Sequence, residues 1–168
     1  MYDTGHLEFK LSDREPIEAF AKFIEYNGPI IDVVENKNGK IYTSYLINIK
    51  DEMIVEQLKR LGCMPRKTTT NSFPTLEQLP EEYHRQFIRG VFDGDGSVFK
   101  SGRKIGIDIT GTEQFLMGLR DVLEHNQILP KEPIYIYPSH AKNETIKRLN
   151  FTKKDSIIKF FHYLYDDV

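Results

Sequence analysis

Hydrophobic and polar residues alternate over residues 7–13, and a period of two is typical of a half-buried strand. A helix is predicted next, because Pro16 suits a first helical turn and the Asn27-Gly28 pair supplies a stop. Its apolar residues recur at helical spacing and are Ile17, Phe20, Ala21 and Ile24. The chain therefore opens with a strand followed by an amphipathic helix.

The same half of the chain continues with two strands and a second helix. The strands are predicted at 30–34 and 41–49, with a turn at 36–39 between them. The helix begins after Asp51 and ends at Gly62, a typical left-handed cap residue. Its inward-facing stripe is predicted to be Ile54, Leu58 and Leu61.

The order of elements repeats about a hundred residues further along the chain. The repeat is predicted to comprise a strand at 104–110, a helix at 112–126, strands at 133–137 and 145–151, and a helix from 154. The first of these strands would turn Ile105, Ile107 and Ile109 inward, and Thr112 would cap the helix that follows. We interpret this recurrence as an internal duplication.

An apolar helix predicted to start near Pro80 carries two glycines and ends in two acids. Because a helix C-terminus has partial negative charge, Asp93 and Asp95 should each cost roughly 0.3 to 1 kcal/mol unless a cation offsets them. A divalent metal ion would do so. Gly90 and Gly94 share one helix face, which lets a second helix approach closely. The acids are therefore expected at the end of a helix pair.

Two other structures compete for the Asp-Gly-Asp-Gly sequence. Asp-Gly pairs are also ordinary turn residues after a helix, with glycine in the left-handed cap. A calcium loop counted from Asp93 would need a glutamate at its twelfth position, where the chain has Lys104. The calcium loop is therefore excluded, whereas the ordinary turn stays open.

The composition narrows the class of protein. The single cysteine, Cys63, rules out an intrachain disulfide and a cysteine-built zinc site. No apolar run reaches the length of a membrane span and the N-terminus does not resemble a secretory signal, so we expect no membrane association and a cytoplasmic location. The net charge of -2, from 23 basic and 25 acidic residues, gives no general attraction to nucleic acid. Any DNA binding must therefore be local.

The run from Phe87 to Gly96 resembles the motif of the LAGLIDADG homing endonucleases. It is preceded by Phe73-Pro74 and Pro80, and the predicted strand, helix, two strands and helix follow it. The string at 61–68 is also similar to the segment between the two repeats of that family. The resemblance thus covers nearly the whole chain.

This resemblance implies an α+β fold in which an αββαββα repeat is used twice, with antiparallel sheets that form a DNA-binding saddle. The implied parts are a first repeat without its motif helix at 1–62, an inter-repeat linker at 63–79, and a second repeat at 80–168.

The resemblance also implies a catalytic site. Asp95, the last acid of the motif, would coordinate Mg²⁺ beside the Gly94 carbonyl, and Lys67 would polarise water or the phosphate. Asp93 is assigned to the helix cap, and Gly90 together with Gly94 to the interface between motif helices. The implied activity is Mg²⁺-dependent phosphodiester hydrolysis at a long, specific site in double-stranded DNA, as in intron or intein mobility.

Strand parity turns a set of polar residues outward, where they would contact the DNA. These residues are Lys10, Tyr42, Ser44, Asn48, Lys104, Thr110, Lys147 and Arg148. Glu8 and Asp108, on two of the same strands, could accept hydrogen bonds from cytosine amino groups. Each of these two acids is explained more simply as a solvent-facing strand residue.

The first half of the sequence departs from the family pattern, because it lacks a motif helix and its acid. Three explanations remain: the chain is a fragment, it forms a homodimer through Gly90 and Gly94 so that two Asp95 helices meet, or it has lost cleavage and kept binding. The sequence favours an endonuclease that cleaves or nicks DNA. The alternative is a cleavage-inactive DNA- or RNA-binding module, such as a regulator or splicing maturase, on the same scaffold.

Overall fold

The computed structural model describes residues 6–63, 71–131, 136–138 and 145–166. The chain divides into two compact units, Met1–Pro65 and Arg66–Val168. None of the helices within the described ranges has the length and apolar content that crossing a membrane requires.

Unit 1 is a three-stranded antiparallel sheet with two helices. Its elements are β1 (Leu7–Leu11), α1 (Arg14–Phe23), β2 (Ile31–Lys37), β3 (Lys40–Ile49) and α2 (Glu52–Arg60). The strand order is β1-β3-β2, and α1 buries Ile17 and Ala21 against Ile47 and Ile49 of the central strand. The predicted elements of this half are confirmed, although α1 ends at Phe23, before the predicted Asn27-Gly28 stop.

Local chemistry explains the turns of unit 1. Asn38 and Gly39 both have positive φ, 54° and 79°, which is the requirement of the type I′ turn that joins β2 to β3. The Asp51 side chain caps α2 by accepting hydrogen bonds from the backbone of Met53 and Ile54. Gly62, with a φ of 88°, ends α2 in the left-handed conformation.

The predicted inward stripe of α2 is wrong. Val55 is the buried residue of this helix, whereas Ile54 and Leu61 are 38% and 48% exposed. Helical spacing identifies residues that share a face, but the neighbouring structure determines which face is covered. The sequence pattern alone therefore could not choose between the two sides of α2.

Unit 2 contains a four-stranded antiparallel sheet and three helices within the described residues. Its elements are α3 (His84–Asp95), β4 (Gly96–Ser101), β5 (Lys104–Thr112), α4 (Glu113–His125), β6 (Ile136–Pro138), β7 (Ile146–Phe151) and α5 (Lys154–Tyr165), with a 3-10 turn at Glu81–Tyr83. The strand order is β4-β5-β7-β6. Residue periodicity did not predict β4, and Ile105 is 53% exposed although it has the strand parity of the inward-facing Ile107 and Ile109. It lies beyond the part of β5 that the helices cover, whereas Ile107 and Ile109 are fully buried.

The helices of unit 2 enclose an apolar core on one side of the sheet. Ile88 and Phe92 of α3 belong to this core with Phe160 and Leu164 of α5. The rings of Phe92 and Phe160 meet edge to face, with centroids 5.0 Å apart. As predicted, Thr112 caps α4, because its hydroxyl oxygen accepts a hydrogen bond from the Phe115 backbone at 3.2 Å.

The two sheets repeat one topology. The order β1-β3-β2 in unit 1 matches β5-β7-β6 in unit 2, and in both a helix follows the first and the last strand. The inward pair Phe9 and Ile47 corresponds to Ile109 and Leu149 in the strand registers. Among the described residues, α3 and β4 have no counterpart in unit 1. The predicted α+β class is confirmed, while the division into family repeats at 1–62 and 80–168 stays a prediction.

Candidate functional site

One face of α3 is buried in unit 2, and the opposite face carries two glycines. Ile88 and Phe92 are 0% and 8% exposed, whereas Gly90 and Gly94 are exposed. Apart from its chain neighbours and the nearby backbone of α3, a Cβ atom built at either glycine would meet no described atom within 4 Å. We call this pair the glycine face. A glycine inside a helix is less favourable than alanine by roughly 0.5 to 1 kcal/mol, and the described fold gives no steric reason to accept that cost at Gly90 or Gly94.

Asp95 is the last residue of α3 and lies directly before β4. Its side chain is exposed, and no described residue makes an ion pair or hydrogen bond with the carboxylate. Gly96 makes this junction possible, because a Cβ there would lie 2.5 Å from the Phe92 carbonyl oxygen and 2.2 Å from the Phe92 ring. The tight passage from helix to strand therefore fixes the position of Asp95.

Asp93, which the sequence analysis assigned to the helix cap, links α3 to α5. Its carboxylate accepts a short hydrogen bond from the Tyr165 hydroxyl, and at this end of α3 the Gly96 backbone N–H donates to the Phe92 carbonyl. One turn earlier, the Arg89 guanidinium donates to the Leu164 carbonyl at 3.5 Å, near the end of α5. Burial, followed by the bond to Asp93, raises the pKa of Tyr165 to about 12. These contacts leave Asp95 as the unpaired acid of the motif within the described structure.

The Asp95 carboxylate is a suitable ligand for a hard divalent cation, although the described residues place few other metal ligands near it. The described residues contain no group of three or more His, Cys, Asp or Glu side chains that could hold a metal ion. Mg²⁺ does not need such a group, because it keeps several waters and binds through one or two carboxylates together with substrate phosphates. The Gly94 carbonyl is among the last four of α3, which lack an intrahelical donor. The Asp95 carboxylate and the Gly94 carbonyl are therefore suitable protein ligands for Mg²⁺. The predicted catalytic residue Lys67 lies outside the described residues.

The face of the unit 1 sheet that points away from α1 carries four of the predicted DNA-binding residues. Strand register places Lys10, Tyr42, Ser44 and Asn48 together on this outer face. Lys10 forms a 3.5 Å ion pair with Glu35, so its charge is partly neutralised. The Ser44 hydroxyl donates to the Val33 carbonyl at 3.4 Å. This outer face, which Leu46 shares, is therefore not strongly basic.

The outer face of the unit 2 sheet carries three of the four residues predicted there. Lys104 and Thr110 share it with Arg148, opposite the side that α4 covers. Lys147 does not join them, because it has the same strand parity as the core residues Leu149 and Phe151. The structure therefore separates Lys147 from Arg148, which the sequence grouped together.

Asp108 and Arg148 form an ion pair on this outer face that the sequence analysis missed. The Arg148 guanidinium donates through Nη1 to Asp108 Oδ2 at 3.0 Å, and their side chains are 30% and 14% exposed. The sequence analysis considered Asp108 as an acceptor for cytosine and, more simply, as a solvent-facing strand residue. The contact depends on β5 pairing with β7, and strand register across that long connection is not encoded in local periodicity.

Comparison with known proteins gives the family. A family model described as a LAGLIDADG-like domain matches residues 82–165, which are 84 of the 168 residues. The chain belongs to the LAGLIDADG family. This confirms the predicted resemblance, and the matched segment of this LAGLIDADG protein runs from just before α3 to the end of α5. No curated protein matches its sequence.

Solved structures share the fold of this LAGLIDADG protein over almost its full length. The homing endonuclease I-WcaI bound to its DNA recognition sequence has a TM-score of 0.60 and 12% identity, with 96% of this chain and 70% of that chain covered. The N-terminal LAGLIDADG domain of DUF199/WhiA has a TM-score of 0.53 and 14% identity, with coverages of 94% and 72%. Full-length DUF199/WhiA from Thermatoga maritima has a TM-score of 0.53 and 15% identity, with coverages of 95% and 48%. At these identities the similarity establishes the fold.

Proposed function

We propose that this LAGLIDADG protein is a site-specific endonuclease of the homing type, which hydrolyses double-stranded DNA with Mg²⁺ and acts as a homodimer. The observation that carries the proposal is the uncovered glycine face of α3, which leads directly to the exposed carboxylate of Asp95. Family membership and the DNA-bound state of I-WcaI support the choice of substrate.

Pairing of two glycine faces would explain why glycine occupies two exposed helical positions. Small residues let helix backbones approach closely, and a twofold interface places the same residue of each copy near the axis. Two α3 helices paired in this way would bring two Asp95 carboxylates to the same end of the helix pair. The dimer would thereby supply the second acid that each chain lacks in its described residues.

The residues of the chain would then divide the catalytic work. The Asp95 carboxylates, with the Gly94 carbonyls, would hold the metal, and Lys67 would orient water or the phosphate. Bound Mg²⁺ stabilises the charge that develops on the attacking and leaving oxygens of a phosphodiester. Polar residues of the outer sheet faces would position the duplex through its phosphates and bases. Those residues are Lys10, Tyr42, Ser44, Asn48, Lys104, Thr110 and Arg148.

The test begins with duplexes selected from a random-sequence library by binding to the full chain without magnesium. We expect MgCl₂ to start cleavage of the selected duplex by the wild-type chain, and Asp95→Asn to bind that duplex without cutting it. Asp121→Asn, which changes an exposed acid on α4, is the matched control and should cleave normally. Equal cleavage by Asp95→Asn and wild type would remove Asp95 from the site.

A cleavage-inactive DNA- or RNA-binding module is the second candidate function. The outer sheet faces favour this function. Their polar residues could contact nucleic acid without a second copy of the chain and without the Asp95 carboxylate. In that case the wild-type chain would bind its selected duplex, or a folded RNA offered as competitor, and would cut neither at any protein concentration with MgCl₂ present.

A further inference from the structure

We propose that Asp108 holds Arg148 in position to recognise a guanine, which makes Arg148 a specificity-determining residue and Asp108 its positioning residue. The inference rests on the proposed binding of double-stranded DNA, but not on cleavage. It differs from both interpretations of Asp108 in the sequence analysis, as an acceptor for cytosine and as a solvent-facing strand residue.

The geometry of the pair restricts how Arg148 can meet a ligand. Its Nη1 atom is held by Asp108 at 3.0 Å, and its Nε atom is buried without a described hydrogen-bond partner. A ligand on the outer face can therefore meet only the terminal Nη nitrogens, whose other N–H groups have no hydrogen-bond partner among the described residues. Two parallel donors at the end of a guanidinium match the O6 and N7 acceptors of guanine in the major groove.

The charge of the pair argues against a simple phosphate anchor. Asp108 is only 14% exposed and lies in direct contact with the guanidinium, so it offsets most of the positive charge at this point. Sequence-independent affinity depends on cations that neutralise phosphates and release counterions. A neutralised arginine contributes little to that attraction. Arg148 still presents hydrogen-bond donors in a fixed arrangement, and base recognition depends on such an arrangement.

Unit 1 has no such pair at the equivalent place. The cross-strand pair Glu8 and Asn48 corresponds in register to Asp108 and Asn150, and this correspondence places Leu46 where unit 2 has Arg148. A leucine can contact the methyl group of thymine but cannot donate to guanine. The guanine preference should therefore belong only to the DNA that unit 2 contacts.

The experiment measures the binding of the full chain to every single-base variant of a selected duplex, without magnesium. We expect one position per chain at which wild type prefers guanine by about tenfold or more. Arg148→Gln and Arg148→Lys should lose most of that preference, because neither has the planar fork of arginine. Asp108→Asn should reduce it by a smaller factor while the affinity for all duplexes is unchanged or higher. Arg120→Gln, which disrupts an Arg–Asp contact on α4, is the matched control and should keep the wild-type preference.

Several outcomes would overturn the inference. One such outcome is that Arg148→Gln binds all duplexes more weakly but keeps the base preference. If the affinity of this variant also depended on salt concentration less steeply, by the equivalent of about one phosphate contact, Arg148 would be a phosphate anchor. If the wild type preferred cytosine at one position, and only Asp108→Asn among the variants lost that preference, Asp108 itself would contact the base. Binding without cleavage would contradict the proposed enzyme but leave the guanine recognition standing, whereas failure to bind any duplex would refute both. Thermal unfolding of each variant identifies any that fail to fold, and Arg148→Lys and Asp108→Asn are the least disruptive.

Discussion

At the scale of single residues, the glycines of the motif have different physical roles. Gly96 is required by the fold of the chain itself, because a Cβ there would collide with the Phe92 carbonyl oxygen at 2.5 Å. Gly90 and Gly94 are not required in this sense, because apart from the nearby backbone of α3 nothing described lies within 4 Å of the Cβ that either would carry. The reason for these two glycines therefore has to be sought outside the described chain, and a partner helix is the reason we propose.

Replacing the glycine face by alanine tests this distinction. We expect Gly90→Ala and Gly94→Ala each to raise the free energy of unfolding of the dilute monomer by roughly 0.5 to 1 kcal/mol, because alanine favours the helix. The same substitutions should weaken self-association, because a methyl group at the interface keeps the helices apart. Urea unfolding and sedimentation equilibrium measure the two effects.

Gly96→Ala is the control for this prediction. It should lower the free energy of unfolding, because Phe92 must move to admit the new methyl group. If Gly90→Ala and Gly94→Ala also destabilised the dilute monomer, a contact within the chain would cover the glycine face, and the argument for a partner helix would fail.

At the scale of secondary-structure elements, the position of α3 depends on its contacts with α5. Phe92 packs on Phe160, Arg89 donates to the Leu164 carbonyl, and Tyr165 donates to Asp93. The polar contacts join the middle and the last turn of α3 to the last turn of α5. They therefore help to fix the end of α3 from which the proposed catalytic acid projects.

The burial of Tyr165, together with its contact with Asp93, should make stability depend on alkaline pH. The pKa of Tyr165 is raised to about 12 in the folded protein, from an ordinary value near 10. The contribution of the protonated Tyr165 hydroxyl to the free energy of unfolding is therefore fully present below pH about 10 and is lost as the pH rises towards 12. Deprotonation removes the donor and leaves two negative groups side by side. We expect the unfolding free energy of wild type to fall over this window, measured by urea titration at several pH values.

Tyr165→Phe should lower stability at neutral pH by roughly 0.5 to 1.5 kcal/mol, the usual worth of a hydrogen bond. Its unfolding free energy should also fall less steeply above pH about 10 than that of wild type. Asp93→Asn keeps an acceptor oxygen without the charge and should give an intermediate slope. Identical slopes in wild type and Tyr165→Phe would show that the contact does not contribute.

Local patterns predicted most elements but not the contacts between them. The strand at β1, the cap at Thr112 and the glycine end of α2 follow from alternation and from turn chemistry, both of which are local. The buried side of α2 and the pairing of Asp108 with Arg148 were missed, because each depends on residues distant in sequence. Parity correctly placed Arg148 on the outer face, but adjacent residues of a strand point to opposite sides, and Lys147 consequently does not share it.

At the scale of the whole molecule, the two units repeat one strand order but differ in what they offer a ligand. Unit 2 has α3, with its glycine face and Asp95, whereas the described part of unit 1 has no equivalent helix. The outer face of unit 2 has the Asp108–Arg148 pair, and Leu46 occupies the equivalent place in unit 1. A single chain thus presents one motif acid in its described structure, and the proposed enzyme needs two chains.

Mixing wild-type chain with Asp95→Asn tests the central claim most directly. The total protein concentration is held constant and well above the dissociation constant for self-association, and the rate of double-strand cleavage is measured with MgCl₂. If two Asp95 carboxylates act in one dimer, random pairing makes the rate fall with the square of the wild-type fraction, and an equal mixture keeps about one quarter of the activity. A rate that falls in direct proportion, to about one half in the equal mixture, would mean that one chain is sufficient and would contradict the account.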